Sequence, residues 1–199
     1  AYLTLSNDNQ PTYGGKSMRK LHRESENTVL VVIDLQEKLM NAMKDRERVY
    51  KNTVLLLETA KQFDIPVIVT EQYPRGLGKT VPEITDHLPE HSLVEKVHFS
   101  ACVPEFVDLL GKTNRKQVII TGSETHICVF QTTRDLMEAG YQVYIPRDAV
   151  CSRTDENYEN GLDLMKTAGA VISNTETIIF DLLKQSGTAP FKAISPLLK

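Results

Sequence analysis

The sequence has no surplus of positive charge: 23 Lys and Arg against 26 Asp and Glu leave a formal net charge of −3. That balance provides no electrostatic footprint for nucleic acid or for an anionic membrane surface. No apolar run reaches the roughly 18 residues that a membrane-spanning helix requires. Cysteine is sparse and odd in number, with only Cys102, Cys128 and Cys151, which argues against a disulfide framework and for a reducing compartment. No Asn-x-Ser/Thr sequon occurs, so nothing marks the chain for secretion. Residues 1–20 are polar with scattered basic side chains and lack the apolar core of a signal peptide. A cytoplasmic location is expected, with a mitochondrial leader upstream left open. Internal repeats and low-complexity tracts are also absent.

What is present is an ordinary globular mixture, 41 % hydrophobic and 25 % charged over 199 residues, enough to bury one sizeable core without metal or disulfides. Short β-branched runs alternate with helical stretches. The runs are Val29–Asp34, Ile65–Thr70, Leu93–Lys96, Gln117–Thr121, Tyr141–Ile145 and Ala170–Ser173. Several are apolar on both faces, as in parallel strands covered from both sides. Helices are expected over Arg46–Phe63, Pro104–Leu110, Cys128–Ala139, Glu156–Ala168 and Thr175–Lys184, three of them stopped by Gly111, Gly140 and Gly169. In Arg46–Phe63 the apolar positions Val49, Val54, Leu57 and Ala60 share one helical face. The expected fold is α/β: a three-layer sandwich with a mostly parallel, Rossmann-like sheet and helices on both faces. The stretch Glu71–Pro89, rich in Gly and Pro, is expected to be a long loop with one short helix, and Pro190–Lys199 an edge or interface piece.

Open α/β sheets bind ligands beyond the carboxyl ends of their strands. Asp34 ends the first run and Lys96 the third, while Cys128 opens the helix after the fourth. A thiol at a helix N-terminus and near an ammonium is expected to have a depressed pKa. A neighbouring carboxylate can take its proton, and backbone N–H groups of the same turn can hold an oxyanion. The bland alternatives stay open at this level: a buried inert Cys, an Asp that caps the next helix, a solvated Lys.

The segments VVIDLQEKL, VTEQYPRGLGKTVPEI, VEKVHFSA and ITGSETHICVFQTTRDLMEAGYQV resemble the isochorismatase-like cysteine hydrolases, in particular the eukaryotic isochorismatase-domain-containing subgroup. The resemblance runs from Thr28 to Lys199, which makes 28–199 the hydrolase domain and 1–27 an N-terminal extension. It implies Asp34 as general base, Lys96 as the electrostatic partner and Cys128 as nucleophile. It further implies a cis peptide at Ser123–Glu124 and an oxyanion hole from the Glu124 and Cys128 amides, with no role for the Glu124 side chain. A homo-oligomer acting on a small-molecule substrate is implied as well. True isochorismatases lack the Cys nucleophile, so Cys128 argues against vinyl-ether hydrolysis. Nicotinamidase relatives carry an Asp–His metal site after the second strand; here TEQYPRGLGKT has no His, so neither a catalytic metal nor another cofactor is expected.

The remaining features are weaker. Gly78-Lys79-Thr80 resembles the end of a P-loop, but the required earlier glycine is Tyr73. His87 and His91 are four apart, with Pro89 between them disfavouring a regular helix. His126, Tyr73, Arg75 and Phe99 are candidates for the pocket wall, with ordinary packing the alternative for Tyr73 and Phe99, a surface position the alternative for His126, and a solvated side chain the favoured reading of Arg75; Cys102 and Cys151 read as structural thiols. The expected activity is hydrolysis of a small amide through a Cys128 acyl-enzyme; the alternative is a catalytically silent scaffold.

Overall fold

The computed structural model describes residues 21–199 in full, together with the backbone of two short strands before them, β1 (Thr12–Tyr13) and β2 (Lys16–Ser17), which pair antiparallel. The body is a seven-stranded parallel sheet made of β3 (Thr28–Ile33), β4 (Val67–Gln72), β5 (Ser92–Lys96), β6 (Gln117–Ser123), β7 (Gln142–Pro146), β8 (Val150–Cys151) and β9 (Val171–Ser173). The spatial order is β5-β4-β3-β6-β7-β9, with β8 continuing alongside the end of β6. Every residue of β3, β4 and β6 is buried, as the two-sided apolar runs require.

Two cores separate the layers. On one face α2 (Arg46–Gln62), α8 (Thr175–Leu183) and α9 (Ala189–Ile194) contribute Leu57, Ile179 and Ile194. On the other, α5 (Pro104–Lys112), α6 (Phe130–Glu138) and α7 (Asp155–Ala168) contribute Phe106, Leu136 and Met165. The expected three-layer α/β sandwich is the observed architecture. Before β3, Arg23 is buried, ion-paired with Asp181 at 2.8 Å and stacked over the Tyr144 ring. The C-terminal segment forms α9 and packs its Ile194 into the core; it was not expected to be helical.

Several boundaries differ from the sequence reading. Gly111 does not stop α5, which runs on to Lys112 and turns at Asn114 with φ +55°. The stretch after β4 is built from α3 (Pro74–Leu77) and α4 (Pro82–Thr85) rather than one helix, because a proline sits at the first turn of each. Val54 in α2 is only half-buried, while Thr53 is fully buried.

β3 and β6 are neighbours, yet the chain leaves them in opposite directions across the sheet, β4 and β5 to one side, β7 and β9 to the other. The crevice at their carboxyl ends is therefore the topological switch point. Gly122 makes the close approach there possible. Its φ is +125°, and a Cβ would lie 1.9 Å from the Ile33 carbonyl oxygen.

Candidate active site

Asp34 is the first residue beyond β3 and adopts φ +50°, which turns its side chain away from the strand's alternation. It is fully buried. Thr70, paired with Ile33 in the β3–β4 register, donates its hydroxyl to Asp34 Oδ1 at 2.7 Å. Lys96, the last residue of β5, donates from Nζ to Asp34 Oδ2 at 2.9 Å. Neither side chain of this ion pair reaches solvent, so a charge pair sits in a low-dielectric interior where its geometry must be well satisfied.

That satisfaction comes from β4 and the loop after β5. Lys96 Nζ also lies 2.7 Å from Gln72 Oε1, 2.9 Å from the Phe99 carbonyl and 3.1 Å from the His98 carbonyl. Gln72 pairs with Lys96 in the β4–β5 register, which places the two side chains on the same face. Gln36 then locks Gln72: its Oε1 accepts from the Gln72 N–H at 2.7 Å, and its Nε2 donates to the Gln72 and Gly78 carbonyls. Thr70, Gln72 and Gln36 were not singled out from the sequence. The rule that selected Lys96, a polar side chain at the carboxyl end of a buried strand, also selects Thr70 and Gln72.

Cys128 does not open a regular α-helix. It is the fourth residue of a π-helical turn, Thr125–Val129, and α6 begins only at Phe130. The turn is closed by Ile127 and Val129 N–H groups on the Glu124 carbonyl, at 3.1 and 3.2 Å. Gly161 of α7 packs against its backbone so closely that a Cβ would lie 2.8 Å from the Thr125 carbonyl carbon. Ser123 Oγ donates to the Asp34 carbonyl at 2.9 Å, tying the end of β6 to the end of β3. The Ser123–Glu124 peptide is cis.

The three residues expected at strand ends are therefore brought to one place, but the expected depressed thiol is not observed. Burial pushes the Cys128 thiol up to about 12, the Asp34 charge pushes in the same direction, and Lys96 opposes both without prevailing. Cys128 is only 6 % exposed, which explains why desolvation outweighs the neighbouring ammonium. The resting state is a protonated thiol beside a carboxylate. That arrangement calls for proton removal during attack rather than a preformed thiolate.

Beyond the ends of β4 and β5, Tyr73, Phe99 and Val97 are more than half exposed, so the packing role open to Tyr73 and Phe99 does not hold. Arg75 is exposed, and Tyr73, Arg75 and Val97 border a cavity of about 400 Å³ beside Lys96. His126 Nδ1 lies 2.9 Å from Ser152 Oγ, and burial pushes its pKa below the ordinary value. The Glu124 side chain, given no role by sequence, is buried and accepts from the Arg153 N–H and Nε, both at 3.0 Å. Lys79 of the P-loop lookalike is exposed, while Thr80 is bound to Glu71 Oε2 at 2.6 and 2.7 Å. His87 bonds Glu58 at 3.1 Å and His91 the Pro89 carbonyl at 2.8 Å. Among the described residues no group of three or more His, Cys, Asp or Glu side chains is placed to hold a metal ion. Burial raises Cys102 to about 11 and Cys151 to about 12. No helix among the described residues is long and apolar enough to cross a membrane.

A profile described as the Isochorismatase domain matches residues 28–177. A curated relative, the secreted isochorismatase effector Isc1 of Phytophthora sojae, is 39 % identical over 86 % of this chain and 84 % of its own. Isochorismatase domain-containing protein 2 of Xenopus laevis is 31 % identical, over 92 % of this chain and 89 % of its own. Among solved structures, one described as the MAR1 ribonuclease from Caenorhabditis elegans superposes with a TM-score of 0.85 at 38 % identity, covering 89 % of this chain and 92 % of that one.

Proposed function

The chain belongs to the Isochorismatase domain family, and from that premise we propose that it is a metal-independent cysteine hydrolase of a small amide-like substrate. The observation that carries the reading is the sealed Asp34–Lys96 pair, 2.9 Å apart and without solvent exposure, with the buried Cys128 thiol beside it. Asp34 takes the thiol proton as the sulfur attacks the amide carbonyl. The Glu124 and Cys128 N–H groups receive the oxyanion; among the described residues no acceptor meets the Glu124 N–H. Asp34 returns the proton to the nitrogen as the C–N bond breaks, leaving a thioester. Water then attacks the thioester, giving one proton to Asp34, which passes it back to the sulfur as the acid departs. Lys96 keeps the carboxylate in place and balances its charge through the cycle.

The metal-free part of the reading rests on the donor set at the end of β4, where Gln72, Tyr73 and Arg75 stand and no His follows before His87. The ribonuclease named for the Caenorhabditis elegans structure would need a cationic track for phosphates; a chain of net charge −3 with a sealed lysine does not favour it here. Three cysteines without a disulfide suit a reducing, cytoplasmic setting.

Asp34→Asn tests the base. The negative charge of Asp34 raises the thiol, so removing it while Lys96 stays lowers the thiol's pKa. Iodoacetamide should therefore label Cys128 at a lower pH in the variant than in the wild type, because alkylation needs only a thiolate. Amide hydrolysis should fall by at least about a hundredfold in the same variant, because the leaving nitrogen loses its proton donor. A labelling profile that moves to higher pH removes Asp34 from the role. A labelling profile that does not move in Asp34→Asn, with no acyl-enzyme formed on any amide, favours the scaffold.

We also propose that the chain acts as a homo-oligomer. Tyr73, Val97 and Phe99 leave large apolar side chains in water beyond the ends of β4 and β5, and a second copy would cover them. Sedimentation should give a species larger than one chain, and Val97→Asp with Phe99→Asp should shift it to the monomer; a wild-type monomer rules the assembly out.

A further inference from the structure

Arg153 takes no part in the chemistry above, yet it is ion-paired with Glu124, the residue whose carbonyl closes the Cys128 turn. We infer that Arg153 is a positioning residue for the oxyanion site, acting through Glu124; this rests on the reading that the Glu124 N–H receives the oxyanion. β8 runs beside the end of β6 in the register Gly122 with Val150 and Ser123 with Cys151, so the chain that follows it passes alongside Glu124. There Arg153 closes a two-point grip, with its backbone N–H and its Nε both donating to Glu124 Oε1 at 3.0 Å. The Glu124 side chain is 6 % exposed, whereas that of Arg153 is 56 % exposed.

Glu124 is thus held from two sides. Its carbonyl is fixed by the turn that carries Cys128, and its carboxylate by the arginine from the next loop. With both ends fixed, the direction of its N–H is fixed too. A buried carboxylate that loses its guanidinium keeps only the backbone N–H of residue 153 and no compensating cation; it shifts toward water, and it carries the backbone with it. Displacements on the order of 1 Å are enough to spoil transition-state contacts. Because Arg153 is half in solvent, replacing it empties no core.

Two alkylating probes separate this role from a general disturbance. When acrylamide adds to Cys128, the S–C bond forms at the terminal carbon and the C=C pair moves onto the amide oxygen. Asp34 then returns the thiol proton to the adjacent carbon. Iodoacetamide also consumes the thiolate, but iodide departs and no charge builds on its oxygen. Only the first reaction uses the oxyanion site. In Arg153→Ala, acrylamide addition at Cys128 should slow about tenfold, a fraction of what loss of a whole oxyanion donor costs. Iodoacetamide labelling should stay within about twofold of the wild type. Arg153→Lys, which keeps the charge, should recover most of the difference. In the double variant Arg153→Ala with Glu124→Ala, the acrylamide rate should be no slower than in the slower single variant, because one residue acts through the other. Labelling is read at Cys128 by peptide mass spectrometry.

An unchanged ratio of the two rates overturns the inference, as does an equal fall in both. Effects that multiply in the double variant overturn it as well, since Arg153 would then touch the probe directly. Failure of both reagents to label Cys128 in the wild type instead removes the active-site reading, and this inference with it. Normal wild-type labelling with an unchanged ratio in Arg153→Ala sinks the inference alone.

Discussion

Cys128→Ala is expected to abolish turnover of any small amide that the wild-type chain hydrolyses. Where a nucleophile and its base work as a unit, losing the nucleophile costs about a millionfold in kcat, and what survives comes from binding and the oxyanion site alone. The measurement is ammonia release across a panel of small amides, wild type against variant, with far-ultraviolet circular dichroism to establish that the fold is kept. The fold should survive, because the turn at Thr125–Val129 is held by backbone bonds to Glu124 and by Gly161, not by the sulfur. The second readout is the intact mass under substrate: the wild type should carry an acyl adduct on Cys128 and the variant none. Full activity in Cys128→Ala would overturn the mechanism, whatever the substrate.

The protonated resting thiol changes how that site should be understood. The sequence places Cys128, Asp34 and Lys96 near strand ends, and the order of the strands does the rest, since β3, β4, β5 and β6 are adjacent. What the sequence could not show is depth. Desolvation depends on how many layers cover a group, and α7, which brings Leu162 and Met165 into the core that holds Cys128, is distant from it in the chain. The π-helical turn was hidden for a related reason: its geometry follows from Glu124 caping two N–H groups and from the close approach of Gly161, more than thirty residues away. Strands were legible because β3 and the first half of β4 are apolar on both faces. The helices after Tyr73 were not, because segments of four residues have no periodicity to read. Arg153 was invisible for the plainest reason: an exposed arginine two residues past a cysteine carries no pattern, and only the β6–β8 register brings it to Glu124.

Lys96→Met is expected to destabilise the fold by about 3–5 kcal/mol, far more than Asp34→Asn at about 1–2 kcal/mol, although the two residues form one ion pair. The asymmetry follows from their other partners. Without Asp34's charge, Lys96 still has Gln72 Oε1 and the His98 and Phe99 carbonyls within 3.1 Å. Without Lys96, the Asp34 carboxylate keeps the Thr70 hydroxyl but loses its cation, at a position with no exposure to water. Gln72 Oε1 and two carbonyls lose their donor at the same time, so one substitution leaves several acceptors unsatisfied. Removing both charges should be less costly than removing the lysine alone: Asp34→Leu with Lys96→Met leaves no uncompensated buried ion, and part of the loss should return. Urea unfolding of the wild type, the two single variants and the double variant gives all the terms. Should Lys96→Met cost less than about 1 kcal/mol, water reaches the pair. Asp34 would then be a solvated carboxylate, and the argument that its charge holds the Cys128 thiol protonated would lose its footing.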